Sequence, residues 1–106
     1  MTEDKAQGRV RSFGPWVGSE PQLLLLGSAP SVQSLAQGRY YAHPRNHFWP
    51  LMTAVLKENL PEDYTDRLEM LTRHGVALWD SIGSCRREGS LDSAIVDVTP
   101  NDIGGL

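Results

Sequence analysis

Cysteine is nearly absent from this sequence. Cys85 is the only one, so it has no partner for an internal disulfide and no neighbour at a metal-ligand spacing. That excludes a disulfide scaffold within the chain and makes a reducing, cytoplasmic setting the default expectation. Cys85 itself reads as a small packing residue, against the competing reading of a reactive thiol. Long apolar runs are lacking too. The strongest, LLLL at 23–26, is far too short to cross a membrane. The opening MTEDKAQGR is polar and has none of the apolar stretch of a secretion signal. Neither phosphate-cradling pattern occurs: there is no GxxxxGK followed by Ser or Thr, and no GxGxxG. An excess of positive charge is also missing. The net charge of −3 argues against a broad basic footprint for nucleic acid.

What positive charge there is lies close together. Arg39, His43, Arg45 and His47 fall within nine positions with no carboxylate between them, while the acids gather at 58–69. A solvated basic loop and a local phosphate-contacting loop are both open readings. The 106 residues allow one domain and a real core, though they are few for an enzyme.

Residues 1–20 read as an irregular lead-in, punctuated by GPWVGSEPQ, with Phe13 and Trp16 pinning it to the body. Residues 21–106 read as the folded part. QLLLLG is apolar throughout, which suits a strand buried on both faces in a parallel sheet. GSAPS then forces a turn, and SVQSLAQG predicts one helical turn ending at Gly38. Phe48, Leu51, Met52, Val55 and Leu56 share one face of a 3.6-residue period, with Pro50 in the first turn. Pro61 and the acids Glu62 and Asp63 open a second helix. Tyr64, Leu68 and Leu71 should face inward, and Gly75 should close that helix. VALWDSI returns as a second strand, SLDSAIV suggests a short helix, and TPNDIGGL reads as turn. Strand, loop, helix, helix, strand is the start of an open α/β fold. In such sheets ligands bind beyond the carboxyl ends of the strands, which places the site at GSAPS and the loop that follows.

That loop, GRYYAHPRNHFW, is dense in rings and polar groups. Glycine after a buried strand lets a ligand approach the backbone, and Ser28 and Ser31 add hydroxyls near a helix start. A plain strand-to-helix turn explains the same residues. Tyr40 and Tyr41, on an extended segment, would point opposite ways, one inward and one offering a ring for stacking on a flat base. Both could equally be edge-of-core aromatics. Asn46 is either an N-cap or a rigidly held amide that positions water or meets a base edge. His43 and His47 are spaced like a metal pair, but Pro44 between them argues against a common helix, so no metal site is expected.

Taken together, LLLLGSAPSVQSLAQGRYYAHPRNHFWPLM and GVALWDSIGSCRREGSLDSAIVDVTPNDI resemble the uracil-DNA glycosylase superfamily, over about residues 22–103. The likeness is greatest to the DNA-deoxyinosine (hypoxanthine-DNA) glycosylase branch, and the chain is also similar to mismatch-specific uracil-DNA glycosylases. The resemblance implies a three-layer α/β/α fold with a parallel central sheet of four strands, of which this chain holds the N-terminal part. It implies removal of a deaminated base, hypoxanthine with uracil left open, from double- or single-stranded DNA by hydrolysis of the N-glycosidic bond. No cofactor or metal is needed for that chemistry, and a monomer is the expected state. By the same resemblance Gly27, Ser28, Ala29 and Pro30 line the base pocket, Tyr41 stacks on the extruded base, and Asn46 is the catalytic amide that positions water. Ser31, His43 and Arg45 would contact DNA. Uracil-cleaving relatives carry a catalytic Asn or Asp where this chain has Ala29, which cannot activate water, and this moves the catalytic role to Asn46. Asp80 is a further polar candidate, with a structural role the stronger expectation. The family domain extends past this length, so the chain reads as a fragment or natural truncation, and little activity is expected of it alone. Two other readings stand beside this one: a non-catalytic nucleotide- or DNA-binding remnant, and a flavodoxin-like module for a phosphorylated ligand.

Overall fold

Four consecutive leucines followed by glycine have no helical face to bury, but they satisfy a strand that is paired along its length. In the computed structural model, which describes residues 9–106, that strand pairs in parallel with VALWD. The elements in chain order are strands β1 (Arg9–Arg11) and β2 (Leu23–Gly27), helices α1 (Val32–Gln37), α2 (Phe48–Leu56) and α3 (Tyr64–Arg73), then strands β3 (Val76–Asp80), β4 (Ile82–Arg86) and β5 (Val96–Pro100), with single 3-10 turns at Asp92–Ala94 and Ile103–Gly105. The parallel pair runs in register from Leu23 opposite Val76 to Gly27 opposite Asp80, and the three helices form the crossover between its strands. Of the four parallel strands that the resemblance implies, the described residues supply these two.

The core lies between β3 and the helices. Tyr40, Trp49, Met52, Leu68, Met70, Leu71, Val76 and Leu78 make one buried cluster. Helix α3 packs on β3 as its apolar period requires. Asp63 caps it by accepting from the Thr65 N–H at 3.0 Å, and the chain leaves it through Gly75 at φ 71°. Helix α1 likewise ends on Gly38 at φ 64°.

Four expectations are corrected. First, the lead-in is not irregular throughout, although residues 1–8 lie outside the described residues. Arg9–Arg11 is a strand antiparallel to β4, and Trp16 bridges Leu78 by backbone bonds of 2.8 and 2.9 Å. Two tryptophan N–H groups, which need acceptors when buried, fasten this segment further: Trp16 to the Leu68 carbonyl and Thr72 hydroxyl, and Trp79 to the Phe13 carbonyl. Second, β2 is not buried along its length. Leu23 and Leu26, which an alternating strand turns to opposite faces, are 54% and 48% exposed. Third, α2 buries Trp49, Met52 and Thr53, while Leu51 and Val55 are 60% and 65% exposed. The helix is turned by about one residue from the period first read. Trp49 is the largest surface it can hide, and its ring seats edge-on to Tyr64 with the Arg67 guanidinium 5.8 Å from its centre. Fourth, IGSCR, beyond Ile82 assigned no element above, and VDVTP, which overlaps the ends of SLDSAIV and TPNDIGGL, are strands. They complete an antiparallel sheet ordered β1-β4-β5. Neither alternates cleanly, and β5 is exposed throughout, so pairing rather than burial defines it. Cys85 is fully buried opposite Val10, where burial pushes its thiol pKa up and makes it a packing residue.

Among the described residues no helix is long and apolar enough to cross a membrane. The core assignment predicts that Leu78→Ala lowers the urea-unfolding free energy by about 3 kcal/mol. Leu51→Ala on the open face of α2 should change it by about 0.5 kcal/mol or less. Equal losses would show that α2 has been turned the wrong way.

Candidate active site

Parallel pairing in register brings the carboxyl ends of β2 and β3 level, so Gly27 and Asp80 are neighbours. The pairing continues one step beyond the strands, with Ser81 N donating to the Gly27 carbonyl and Ile82 N to that of Ser28. Above this edge opens a cavity of about 280 Å³, near the lower end of small-molecule pockets. Its lining combines the loop at 27–31 with Phe13, Ser34, Tyr40, Tyr41, Asn46, Asp80 and Asp92. Glycine is required at 27, because a Cβ there would lie 2.6 Å from Asp80 Oδ1 and 3.4 Å from the Tyr41 hydroxyl.

The loop is held from both sides. Ser31 caps α1, its hydroxyl accepting from the Ser34 N–H at 3.1 Å. From the far side, residues after β4 reach back across it. Ser28 Oγ donates to Asp92 Oδ1 at 2.8 Å, Val32 N donates to Ser90 Oγ at 2.9 Å, and Arg87 Nη2 donates to the Pro30 carbonyl.

The aromatic wall departs from an extended segment. Tyr41 has φ 54°, a left-handed conformation that a non-glycine side chain adopts only under constraint. The two tyrosine rings therefore lie 6.3 Å apart and tilted by 34°, instead of on opposite sides of the chain. Tyr40 is the buried one. Its hydroxyl donates to the Gly14 carbonyl at 2.7 Å, and its N–H to the Tyr64 hydroxyl at 2.9 Å. Tyr41 is half-buried and stacks on Phe48 at 3.7 Å and 11°, so Phe48 covers one face of its ring. Burial first, and the Asp80 charge second, raise the pKa of both tyrosines and keep them neutral donors.

Asn46 enters the same cavity from the start of α2. Its Oδ1 accepts from the Phe48 N–H at 2.8 Å, but His47 holds the N-cap position, so Asn46 orders the entry to α2 from one residue further out and is not its N-cap. This bond fixes the amide plane, and Oδ1 keeps a second lone pair. His43 and Arg45 do not line the cavity. They lie exposed on the adjoining loop, where the Arg45 N–H donates to His43 Nδ1 at 3.0 Å. Among the described residues no cluster of His, Cys, Asp and Glu is arranged to hold a metal ion.

Of the expected site residues, Gly27, Ser28, Ala29, Pro30, Tyr41 and Asn46 line this one cavity, and so does Ser31, which was expected to contact DNA. Sequence reasoning did not place Phe13, Ser34 or Asp92 there, and of Tyr40 and Tyr41 it left open which one turns to the ligand; Asp80, expected to be structural, also lines the cavity. Asp80 carried a signal: it closes an apolar parallel strand, where ligands gather. Phe13 and Asp92 carried none, since each arrives through a long-range contact. Asp80 is 5% exposed, and burial pushes its carboxyl pKa up to about 6 against the opposing pull of Arg87.

These positions fall within a known family. A profile of the Uracil DNA glycosylase superfamily matches residues 15–101, and the chain belongs to that superfamily. A hypoxanthine DNA glycosylase of Methanosarcina barkeri (strain Fusaro / DSM 804) is 38% identical over 99 residues, covering 92% of this chain and 63% of that protein. A second, from Methanosarcina acetivorans, is 38% identical over 97 residues and is covered to 61%. The NMR structure of a candidate uracil DNA glycosylase from Methanosarcina acetivorans superposes with a TM-score of 0.83 at 36% identity, over 92% of this chain and 62% of that one. The chain thus spans just over three-fifths of each relative's length.

Asp80 generates a stability test. Its folded pKa of about 6 exceeds the ordinary 3.8, so between those values the folded chain holds a proton that the unfolded chain has lost. Stability therefore falls as pH rises through this window, and the penalty of about 3 kcal/mol persists above it. Asp80→Asn should raise unfolding free energy at pH 7.5 by ~1–3 kcal/mol and leave it nearly unchanged at pH 4. A variant less stable than wild type at pH 7.5 contradicts this.

Proposed function

We propose that this chain carries the base pocket of a DNA glycosylase that removes hypoxanthine from double- or single-stranded DNA, with uracil the second base to test. The observation that carries the reading is the meeting of Gly27–Ser31, Tyr41 and Asn46 around one cavity at the carboxyl ends of parallel strands. Its relatives named as hypoxanthine DNA glycosylases, 38% identical, support the choice of base.

A base inside a duplex is out of reach, so the nucleotide must be swung out and its base inserted into the pocket. The free face of the Tyr41 ring provides a stacking surface, Phe48 bracing it from behind. Ala29 adds no polar side chain to the lining, which leaves Asn46 as the amide at the reacting end. Its fixed Oδ1 accepts a hydrogen of a water, aiming the oxygen lone pair at the sugar C1′. The C1′–N bond breaks with its electron pair leaving on the base, the water oxygen bonds to C1′, and the proton that the water gives up passes through solvent to the departing base. Donors in the pocket favour the negative charge that builds on the departing base. His43 and Arg45, exposed on the adjoining loop, and Ser31 at the cavity edge are placed for phosphate contacts. The chain needs no cofactor in this scheme and acts as a monomer. The pocket binds without the rest of the family domain, while efficient turnover requires it.

The assay uses duplexes with one deoxyinosine or uracil, alkaline cleavage of abasic sites and a denaturing gel. It is run on this chain and on a chimera completed with the unmatched part of the Methanosarcina barkeri relative. The chimera should cut at deoxyinosine, and Asn46→Ala should slow base release by about a hundredfold or more with duplex binding retained. Binding without scission in the unsubstituted chimera would point to a non-catalytic remnant instead.

A further inference from the structure

Two carboxylates line the cavity, and they sit at different depths. Asp80 is 5% exposed, with Oδ2 sealed from solvent, whereas Asp92 is exposed. The same gradient runs through the rest of the lining. Pro30, Ser34 and Tyr40 are buried, and Asn46, like Asp92, is exposed. The buried groups mark the floor, where a base would lodge. The exposed pair marks the mouth, where its sugar would remain. Asn46 reaches that mouth from the start of α2, and Asp92 from the single turn after β4. Asp92 is oriented there by Ser28, whose Oγ donates to its Oδ1 at 2.8 Å. The salt bridges among the described residues leave Asp92 out. The glycosylase scheme above gives it no task.

An uncompensated negative charge is unfavourable at the mouth of a site for a polyanion. It repels the phosphates on either side of the entering nucleotide and so weakens binding of intact DNA. Such a group serves an enzyme when it gains more in the transition state than it loses in the ground state. Here the transition state supplies the missing partner. As the C1′–N bond lengthens, positive charge spreads over C1′ and the ring oxygen of the sugar, and a fixed carboxylate beside them favours it.

We propose that Asp92 is a catalytic residue of this site, its carboxylate facing the sugar at the cavity mouth and stabilising the positive charge that develops there as the base departs. The inference rests on the glycosylase reading and deepens it. No bond forms to Asp92 and no proton passes to it; the bonds made and broken are those already given. The assignment also bears on Ala29. The loop after β2 has no polar side chain at that position, and a carboxylate arrives across the cavity from a segment 64 residues beyond Ser28.

Asp92→Asn tests the charge alone, because the amide keeps an oxygen that can accept from Ser28. In the chimera, single-turnover release of hypoxanthine should slow about tenfold or more. Binding of this chain to a duplex with one deoxyinosine should tighten by about threefold, since a repulsion has been removed. Asp92→Glu keeps the charge and should recover most of the rate. Slower release without tighter binding shows a structural tie and overturns the role given to Asp92, as does release at the wild-type rate. A second measurement needs no variant. The chain is titrated with two duplexes that differ at one position, where the lesion sugar is replaced by a cationic pyrrolidine ring or by a neutral tetrahydrofuran ring. The cationic ring should bind about tenfold more tightly, and Asp92→Asn should lose most of that preference. Equal affinity for the two rings overturns the inference even where the variant does not fold. If the chimera cuts at deoxyinosine while the chain shows no such preference, the glycosylase reading stands and this inference alone falls. Absence of both preference and scission sinks both.

Discussion

The register of β2 against β3 is the constraint from which the site follows. Leu23 sits opposite Val76, and four steps later Gly27 sits opposite Asp80. A one-residue slip would exchange every side chain between faces and set a leucine or a serine beside the wrong partner. In register, the glycine offers no side chain where the carboxylate needs space, and two backbone bonds beyond the strands carry the alignment into the loop. The superfamily match and the close fold likeness concern this same half-sheet and its crossover helices.

Around that edge the protein places rings in series. Phe13 meets Tyr40 edge-on, Tyr40 neighbours Tyr41, Tyr41 stacks on Phe48, Phe48 meets Trp49, and Trp49 meets Tyr64. The left-handed backbone at Tyr41 is what turns the row at the cavity. Core packing thereby over-determines a strained residue that lines the pocket, which is the circumstance in which such strain persists. The aromatic wall is an extension of the hydrophobic core, so its orientation is inherited from packing that no ligand has to organise.

How much of this was legible in the sequence depended on how local each signal was. The β2 strand, α1 with its Gly38 exit, α3 with its Asp63 start, and β3 all announced themselves through period, cap or turn residues. The turn of α2 was misread because Leu and Val at the right spacing outvoted a single Trp, whose larger burial decided the packing. Strands β1, β4 and β5 were invisible. Their residues are mixed in character, and they exist because Val10, Cys85 and Thr99 find partners far away in the chain. The site divided the same way. Gly27–Ser31, Tyr41 and Asn46 belong to dense local motifs, and the resemblance named them. Phe13 and Asp92 reach the cavity by folding alone. Asp80 was visible by position, but nothing local in the sequence shows that it would be buried beside Gly27.

The cavity has two walls that are written far apart. Ser28, Pro30 and Val32 are tied to Asp92, Arg87 and Ser90 across separations of 64, 57 and 58 residues. A nascent chain that has already emerged through β3 possesses the helices, the rings and the first wall, yet has nothing to close the loop against. Contacts of such long contour form late, after the local helical ones are made. Competence to receive a ligand therefore arrives in one step at the end of folding, and local opening of the segment after β4 would abolish it while leaving the core intact.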